Sequence, residues 1–205
     1  MRSADAAPGP GEERRSYIDE FEGEKQSELV ITIDGLSGAG KGTLADFIAD
    51  FLDIEHLSAG GVFREIAAEK GMTVLELSKN ADREVDLEVD RRILDRALSS
   101  DSVIDSRISS WVLGDYSDLK IYLEADLDER ARRVAEREGI PEEEARENIV
   151  ERDEANRERY RKYYGIDISR RDIYDLVIDN TDLGVEEQRR LVKKVLEKRF
   201  PERVG

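Results

Sequence analysis

The chain has 205 residues, 33 of them basic and 49 acidic, for a formal charge of −16, with no cysteine and one histidine. That length suits one domain with a substantial core, and the absence of cysteine excludes disulfides, thiolate metal centres and cysteine nucleophiles. A lone His56 leaves no room for a multi-histidine metal site, and the acidic balance argues against a duplex-DNA or anionic-membrane binder.

Residues 1 to about 28 are rich in Ala, Pro, Gly and mixed charge, and read as a disordered arm whose only apolar group is Tyr17, Ile18 and Phe21. No uninterrupted apolar run approaches the ~20 residues of a membrane helix and no signal-peptide pattern is present, so a cytoplasmic protein is expected.

The first strong signal is Val30 to Thr43. Val30, Ile31 and Ile33 predict a buried strand. Gly35-Leu36-Ser37-Gly38-Ala39-Gly40 predicts a tight loop, and Leu44, Phe47, Ile48 and Phe51 predict one face of a helix. Such a loop turns backbone N–H groups inward, and the helix start adds unpaired N–H groups and a positive dipole end, so the concavity suits phosphate oxygens. Lys41 supplies a full positive charge. The spacing of Gly35, Gly40 and Lys41 is that of a phosphate-binding P-loop, although Gly42 occupies the usual Ser/Thr position and the hydroxyl comes one residue later, at Thr43.

Ile54 to Leu57 predicts a short strand that delivers Ser58-Ala-Gly-Gly61 to a second helix with Val62, Phe63 and Ile66 inward. Arg64 lies in the first turns of that helix, where a cation opposes the dipole, so it is an idle solvated charge or faces an anion. Thr73 caps a short segment, and Asp82 to Leu98 predicts a charged amphipathic helix. Ser102 to Asp105 predicts a strand ending in a carboxylate and running into Ser106-Arg107, with Trp111 in the core beyond. Leu119 to Leu123 is another strand. Asp128 opens an arginine-dense helix, and from Pro141 a long helix runs to about Tyr164. Leu176 to Asp179 and a final helix close the chain.

Strands alternating with helices predict an α/β fold, a parallel sheet covered by helices on both faces. Ligands of such sheets bind beyond the carboxyl ends of the strands, so the loop at 35–43, Ser58 to Arg64 and Asp105 to Arg107 should converge on one cleft. Arginines at 130–137 and 152–161 can close over it. Arg130, Arg132, Arg137, Arg157 and Arg161 also lie among glutamates and read equally well as i,i+4 pairs on a solvated face.

Ile31-Thr-Ile-Asp-Gly-Leu-Ser-Gly-Ala-Gly-Lys-Gly-Thr-Leu44 resembles the P-loop of the cytidylate kinases, with Leu36 in place of their usual proline. His56-Leu-Ser-Ala-Gly60 with Phe63-Arg64 resembles their nucleoside monophosphate (NMP) segment, and Asp105-Ser-Arg107 their acidic-glycine-arginine element, with Ser106 replacing glycine. Glu151-Arg152-Asp153 through Arg159-Tyr160, then Tyr164-Gly-Ile-Asp167, resemble the lid of the archaeal-type enzymes. The resemblance covers residues 29 to 199. It implies a P-loop NMP-kinase fold with a helical NMP-binding lobe at about 58–99 and a lid at about 130–165. It also implies transfer of the γ-phosphoryl group of ATP to CMP or dCMP by a monomer with no nucleic-acid or membrane partner.

By the same resemblance, Gly35, Leu36, Ser37, Gly38, Ala39, Gly40, Lys41, Gly42 and Thr43 bind ATP. Ser58, Arg64, Asp105, Arg107 and Arg159 hold the NMP, and Lys41, Arg107, Arg152 and Arg159 serve the transfer. Asn156 stands where bacterial relatives place a ribose-contacting aspartate. Mg²⁺ takes oxygen ligands beside phosphates, and Thr43 and Asp105 are the candidates for it. Alternatives that share the P-loop are an adenylate or uridylate kinase and a non-catalytic nucleotide-dependent module. A shikimate-type kinase would favour Lys-Ser/Thr over Lys41-Gly42, and a GTPase would need an Asn-Lys-x-Asp element, which is absent.

Overall fold

The computed structural model describes residues 24–80 and 83–204. The elements run β1 (Val30–Gly35), α1 (Lys41–Leu52), β2 (Glu55–Ser58), α2 (Ala59–Glu69), α3 (Val74–Asn80), α4 (Arg83–Ser99), β3 (Ser102–Ser106), α5 (Ser109–Leu113), β4 (Leu119–Glu124), α6 (Leu127–Glu138), α7 (Glu142–Tyr164), β5 (Leu176–Asp179) and α8 (Val185–Arg199). The strands form one five-stranded sheet in the order β2-β3-β1-β4-β5, every pair parallel. β1 is central, with β3 on one side and β4 on the other, so the chain reverses its direction of travel across the sheet at the strand that feeds the glycine loop.

Alternation along the strands sorts the core into two layers. Ile31 and Ile33 of β1, Val103 of β3 and Ile121 and Leu123 of β4 pack under α1 and α8, with Leu44, Ile48, Val192 and Leu196. Val30, Leu57 and Ile104 face the other way, onto α2, α4, α5 and the last turns of α7, where Trp111, Tyr160 and Tyr164 are buried. A smaller cluster of Ala131, Val134, Ala135, Ala145 and Ile149 joins α6 to α7. The sheet is covered on both faces, as its alternation with helices predicts.

Local chemistry sets most boundaries. Ser58 caps α2 by accepting from Gly61 N at 3.1 Å. Thr73 and Glu76 cap α3 reciprocally, at 3.1 and 2.7 Å. Asp126 accepts from Glu129 N, which starts α6 at Leu127, one residue before the acidic position read as its beginning. Gly139 and Gly165 end α6 and α7 with φ of 69° and 65°.

One expectation needs adjustment. Residues 24–28, grouped by composition with the arm, are tied to the domain. Gln26 N and Ser27 N donate to Leu98 O, Glu28 N donates to Asp101 Oδ1, and Lys25 pairs with Asp118 at 2.7 Å. Tyr17, Ile18 and Phe21 lie outside the described residues. In the segment read as a lid, α7 spans from the glycine loop, through Asp153, to the α2–α4 lobe, through Arg159, Tyr160 and Tyr164.

Candidate active site

The glycine loop requires its glycines. A Cβ on Gly35 would lie 2.4 Å from Leu123 O, and one on Gly38 would lie 2.7 Å from Arg130 O at a φ of +82°, so no other residue fits either position without moving backbone. Gly40 (φ 88°) precedes α1, whose start has no side-chain cap. The first N–H groups of α1 are thus left for a ligand.

Lys41 follows. Its Nζ donates to Leu36 O at 2.9 Å, so the residue that replaces the usual proline contributes its carbonyl as a rest for the lysine. Burial, then the like charge of Arg107, lower the Lys41 pKa to about 8, against the opposing pull of Asp105, Asp153 and Asp34.

Ser37 is bracketed on three sides. Its N donates to Asp153 Oδ1 at 3.3 Å, its carbonyl accepts from Arg130 Nη1 at 3.0 Å, and its hydroxyl accepts from Arg107 Nη2 at 2.7 Å. Arg130 also pairs with Asp153 at 2.7 Å, both buried. Arg133 and Asn180 brace the next stretch, with Arg133 Nη1 donating to Asn180 Oδ1 and Asn180 Nδ2 to Ala39 O. Among the arginines read as either ligand groups or solvated charges, Arg132, Arg137 and Arg157 carry the exposed glutamate pairs of the second reading and Arg161 is exposed. Arg130 does neither: it is a buried clamp on the loop. Its position on the apolar stripe of α6, three residues after Leu127 and four before Val134, was the available signal.

Asp105, the penultimate residue of β3, sets its carboxylate against α1, so that a Cβ on Gly42 would lie 3.3 Å from Asp105 Oδ2. That carboxylate occupies the room a Ser or Thr side chain at position 42 would use. Burial pushes the Asp105 pKa up, but the neighbouring His56 ring, the Lys41 charge and the Ser58 hydroxyl outweigh it, and the net shift is downward. His56 bridges Asp46, with Nδ1 at 2.8 Å, and Asp105, with Nε2 at 3.6 Å; the Asp105 contact is the main reason its pKa is raised. His56 thus serves as a structural residue of β2.

Ser106, the departure from the glycine of the resemblance, has a definite job. Its hydroxyl donates to Asp34 Oδ1 at 2.9 Å and accepts from Ile108 N at 3.0 Å and Ser109 N at 2.6 Å. Asp34 is fully buried and also accepts from Ser109 Oγ, Ser110 N and Tyr174 Oη. The residue before Gly35 and the residue before Arg107 are therefore joined directly. Asp34 was not singled out in the sequence because a strand with both faces buried hides which residue carries the network.

Ser37, Gly38, Gly40, Lys41, Gly42, Thr43, Ser58, Arg64, Asp105, Arg107, Arg152 and Arg159 line one cavity of about 1310 Å³, whereas Gly35, Leu36 and Ala39, also predicted to bind ATP, do not border it. That exceeds the ~300–1,000 Å³ of an ordinary small-molecule site and suits two ligands side by side. Lys41, Arg107 and Arg152 stand at its centre, and among the described residues none of them pairs with a carboxylate within 4.0 Å. Nε of Arg107 and of Arg152 are buried without partners. Burial and then the Arg107 charge pull the Arg152 pKa down to about 10. Partly buried cations brought together without counter-charges make a site whose missing component is an anion.

Arg64 is exposed on α2, its guanidinium lying over Gly60 and Gly61. Arg159 is not part of the unpaired group. Its Nε donates to both oxygens of Asp86 (3.0 and 2.9 Å), Nη1 to Ser78 O and Nη2 to Asn156 Oδ1. It lines the cavity as a neutralised part of the lobe wall. Thr43 is exposed on the first turn of α1 and, with Asp105, borders the same space. Among the described residues there is no cluster of three or more His, Cys, Asp or Glu side chains able to hold a metal by themselves. One carboxylate and one hydroxyl beside a phosphate site nevertheless fit Mg²⁺, which keeps most of its ligands as water and phosphate.

Comparison with known proteins agrees with this geometry. Residues 30–182 match the cytidylate kinase-like family. The chain is 41% identical over 169 residues to the cytidylate kinase of Ignicoccus hospitalis, covering 82% of this chain and 98% of that protein. It is 44% identical over 154 residues to the cytidylate kinase of Haloarcula marismortui, covering 74% and 80%. Among solved structures, shikimate kinase from Acinetobacter baumannii in complex with shikimate superposes with a TM-score of 0.51 at 18% identity over 88% of this chain and 97% of that one, a likeness of fold alone. With the glycine loop, the acidic-serine-arginine strand end and the arginine-bearing α7 all falling within the matched span, the chain belongs to the cytidylate kinase-like family.

Proposed function

We propose that this protein transfers the γ-phosphoryl group of ATP to CMP, and to dCMP, yielding ADP and the corresponding diphosphate. The observation that carries the reading is the group of partly buried cations without carboxylate partners, Lys41, Arg107 and Arg152, lining a cavity with room for two nucleotides. The Pγ–O bond to the β-phosphate of ATP breaks as a bond forms between Pγ and a phosphate oxygen of CMP. That oxygen is already anionic, so the absence of a general base is no obstacle. The protein's task is to hold donor and acceptor in line and to neutralise the charge that spreads over the transferring group.

Gly35 to Thr43 cradle the ATP phosphates with backbone N–H groups and Lys41, in a loop that Arg130, Asp153 and Arg107 hold rigid at Ser37. Arg107, at the end of β3, and Arg152, on α7, present their free N–H groups to the acceptor and transferring phosphates. Ser58 and Arg64, at the start of α2, border the acceptor side, while Arg159 shapes its wall through Asp86 and Asn156. Thr43 and Asp105 would hold Mg²⁺, which supplies charge neutralisation between the two phosphates when bound.

Steady-state turnover of CMP, dCMP, UMP and AMP with ATP tests the reading. It requires the highest kcat/KM for the two cytosine nucleotides, and faster turnover of AMP than of CMP would contradict it.

A further inference from the structure

The acceptor's phosphate belongs at Arg107 and Arg152, so its base must extend into the lobe built by α2, α4 and the second half of α7. Aromatic and aliphatic groups, among them Phe63, Val89 and Tyr160, give that slot flat apolar walls. The polar groups in the wall differ sharply in what they leave available. Arg159 and Asp86 satisfy each other. Asn156 gives its oxygen to Arg159 and keeps Nδ2 without a partner, a free donor.

Asp90 is different. It lies on α4, one turn beyond Asp86, borders the cavity and is only partly buried. Its Oδ2 accepts from Tyr164 Oη at 2.7 Å, and Tyr164, fixed in the core at 2% exposure, holds the carboxyl in place. Among the described residues no second hydrogen bond and no cation within 4.0 Å reaches it. Burial accordingly pushes its pKa up to about 7, with the Asp86 charge adding to the rise and the Tyr164 bond opposing it.

We propose that Asp90, clamped by Tyr164, reads the exocyclic amino group of the acceptor base and so selects cytosine over uracil. The inference rests on the function proposed above and adds the residue that sets base choice. The ionised carboxyl, which prevails as pH rises above about 7, offers an unused lone pair to an N–H donor, which cytosine presents at C4, whereas uracil presents there an acceptor oxygen that only the protonated carboxyl could satisfy. Acceptors opposed across the base leave both poorly satisfied, and removing such a mismatch or match typically shifts selectivity by about 10- to 100-fold. The donor of Asn156 suits the O2 carbonyl common to both pyrimidines, so it supports binding without discriminating.

The test is the ratio of kcat/KM for CMP to that for UMP in the wild type, Asp90→Asn and Tyr164→Phe, with thermal melts alongside. At pH 8, where the Asp90 carboxyl is ionised, the wild type should favour CMP by at least about tenfold. In Asp90→Asn the amide can turn an N–H toward the uracil oxygen, so the ratio should fall at least about tenfold, chiefly through gain of UMP turnover. Tyr164→Phe keeps the carboxyl but frees it, and the ratio should fall in the same direction by a smaller factor. A merely structural Asp90 would lower both activities and leave the ratio in place. An unchanged ratio in a folded Asp90→Asn overturns the inference. If that variant does not fold, an unchanged ratio in Tyr164→Phe overturns it instead. Equal wild-type use of CMP and UMP also overturns it while leaving CMP phosphorylation standing, whereas wild type without CMP turnover fails at the parent reading.

Discussion

Replacing Asp153 with Asn removes the negative partner of Arg130 while keeping the shape of the side chain. Both groups are buried, at 6% and 8% exposure, and lie 2.7 Å apart. Breaking a buried pair from one side leaves an uncompensated charge and costs about 3–5 kcal/mol. Arg130 keeps its bonds to Ser37 O and Ala125 O, which places the cost near the lower end, about 3 kcal/mol. For a domain of this size each kcal/mol shifts Tm by ~2–4 °C, so calorimetry of Asp153→Asn should show a fall of roughly 6–12 °C. The KM for ATP should rise as well: the amide oxygen can still accept from Ser37 N, but its NH2 then faces Arg130 Nη1, which loosens the brace on Ser37. The exposed pair Arg132–Glu136 serves as control: Glu136→Gln should move Tm by no more than about 2 °C. The double variant Arg130→Met/Asp153→Leu, with no buried charge left, should recover most of the loss. A fall below about 2 °C in Asp153→Asn would show that the pair is as weak as a surface bridge and that the clamp on the glycine loop is not real.

Three further expectations follow from the charges. Arg107→Ala should lower kcat/KM for CMP by at least about a hundredfold, and Arg107→Lys should rescue little of it, because a point ammonium cannot reproduce the planar donors that now span Ser37 and the open site. Because the Lys41 pKa is lowered to about 8, its ammonium is complete below that value and is lost as pH rises through it. The kcat/KM for ATP should thus decline above about pH 8 rather than above 10, which a pH–rate profile resolves. With 24 arginines and 9 lysines against 49 acids, and net charges of −4 on residues 1–28 and −12 on the rest, self-repulsion lies mostly on the folded part. Molar KCl shrinks the Debye length from ~10 Å at 0.1 M to ~3 Å and should raise Tm while the enzyme stays active, and melts from 0.05 to 2 M KCl that stay flat or fall would exclude a salt-adapted surface.

The parts legible in the sequence were those with short-range signatures. The strand–glycine–helix signal at 30–44 placed β1, the loop and α1, and apolar periodicity placed the remaining strands and helices to within a residue or two at their ends. Motif order brought Ser58, Asp105, Arg107 and Arg152 to one cleft. What stayed hidden depends on partners far away in the chain. Arg130 and Arg132 look alike in sequence, yet one turns to a loop 93 residues back and the other to a glutamate four residues on. Asp153 and Asp86 sit on the apolar stripes of α7 and α4, where a charge signals either a mistaken stripe or a buried partner, and only the fold supplies the arginine. Arg159 matched a motif, but its commitment to Asp86 is a contact across 73 residues that no spacing rule contains.

The most direct test of the account is the formation of CDP from ATP and CMP by the wild type and by Lys41→Met, followed by separation of the nucleotides, with a thermal melt of each protein. The account predicts stoichiometric CDP and ADP from the wild type. The variant should melt like the wild type and be slowed far more than tenfold, a loss well beyond about 1.4 kcal/mol of transition-state stabilisation. A folded Lys41→Met enzyme that keeps its kcat within about tenfold of the wild type would contradict the phosphoryl-transfer role assigned to the glycine loop.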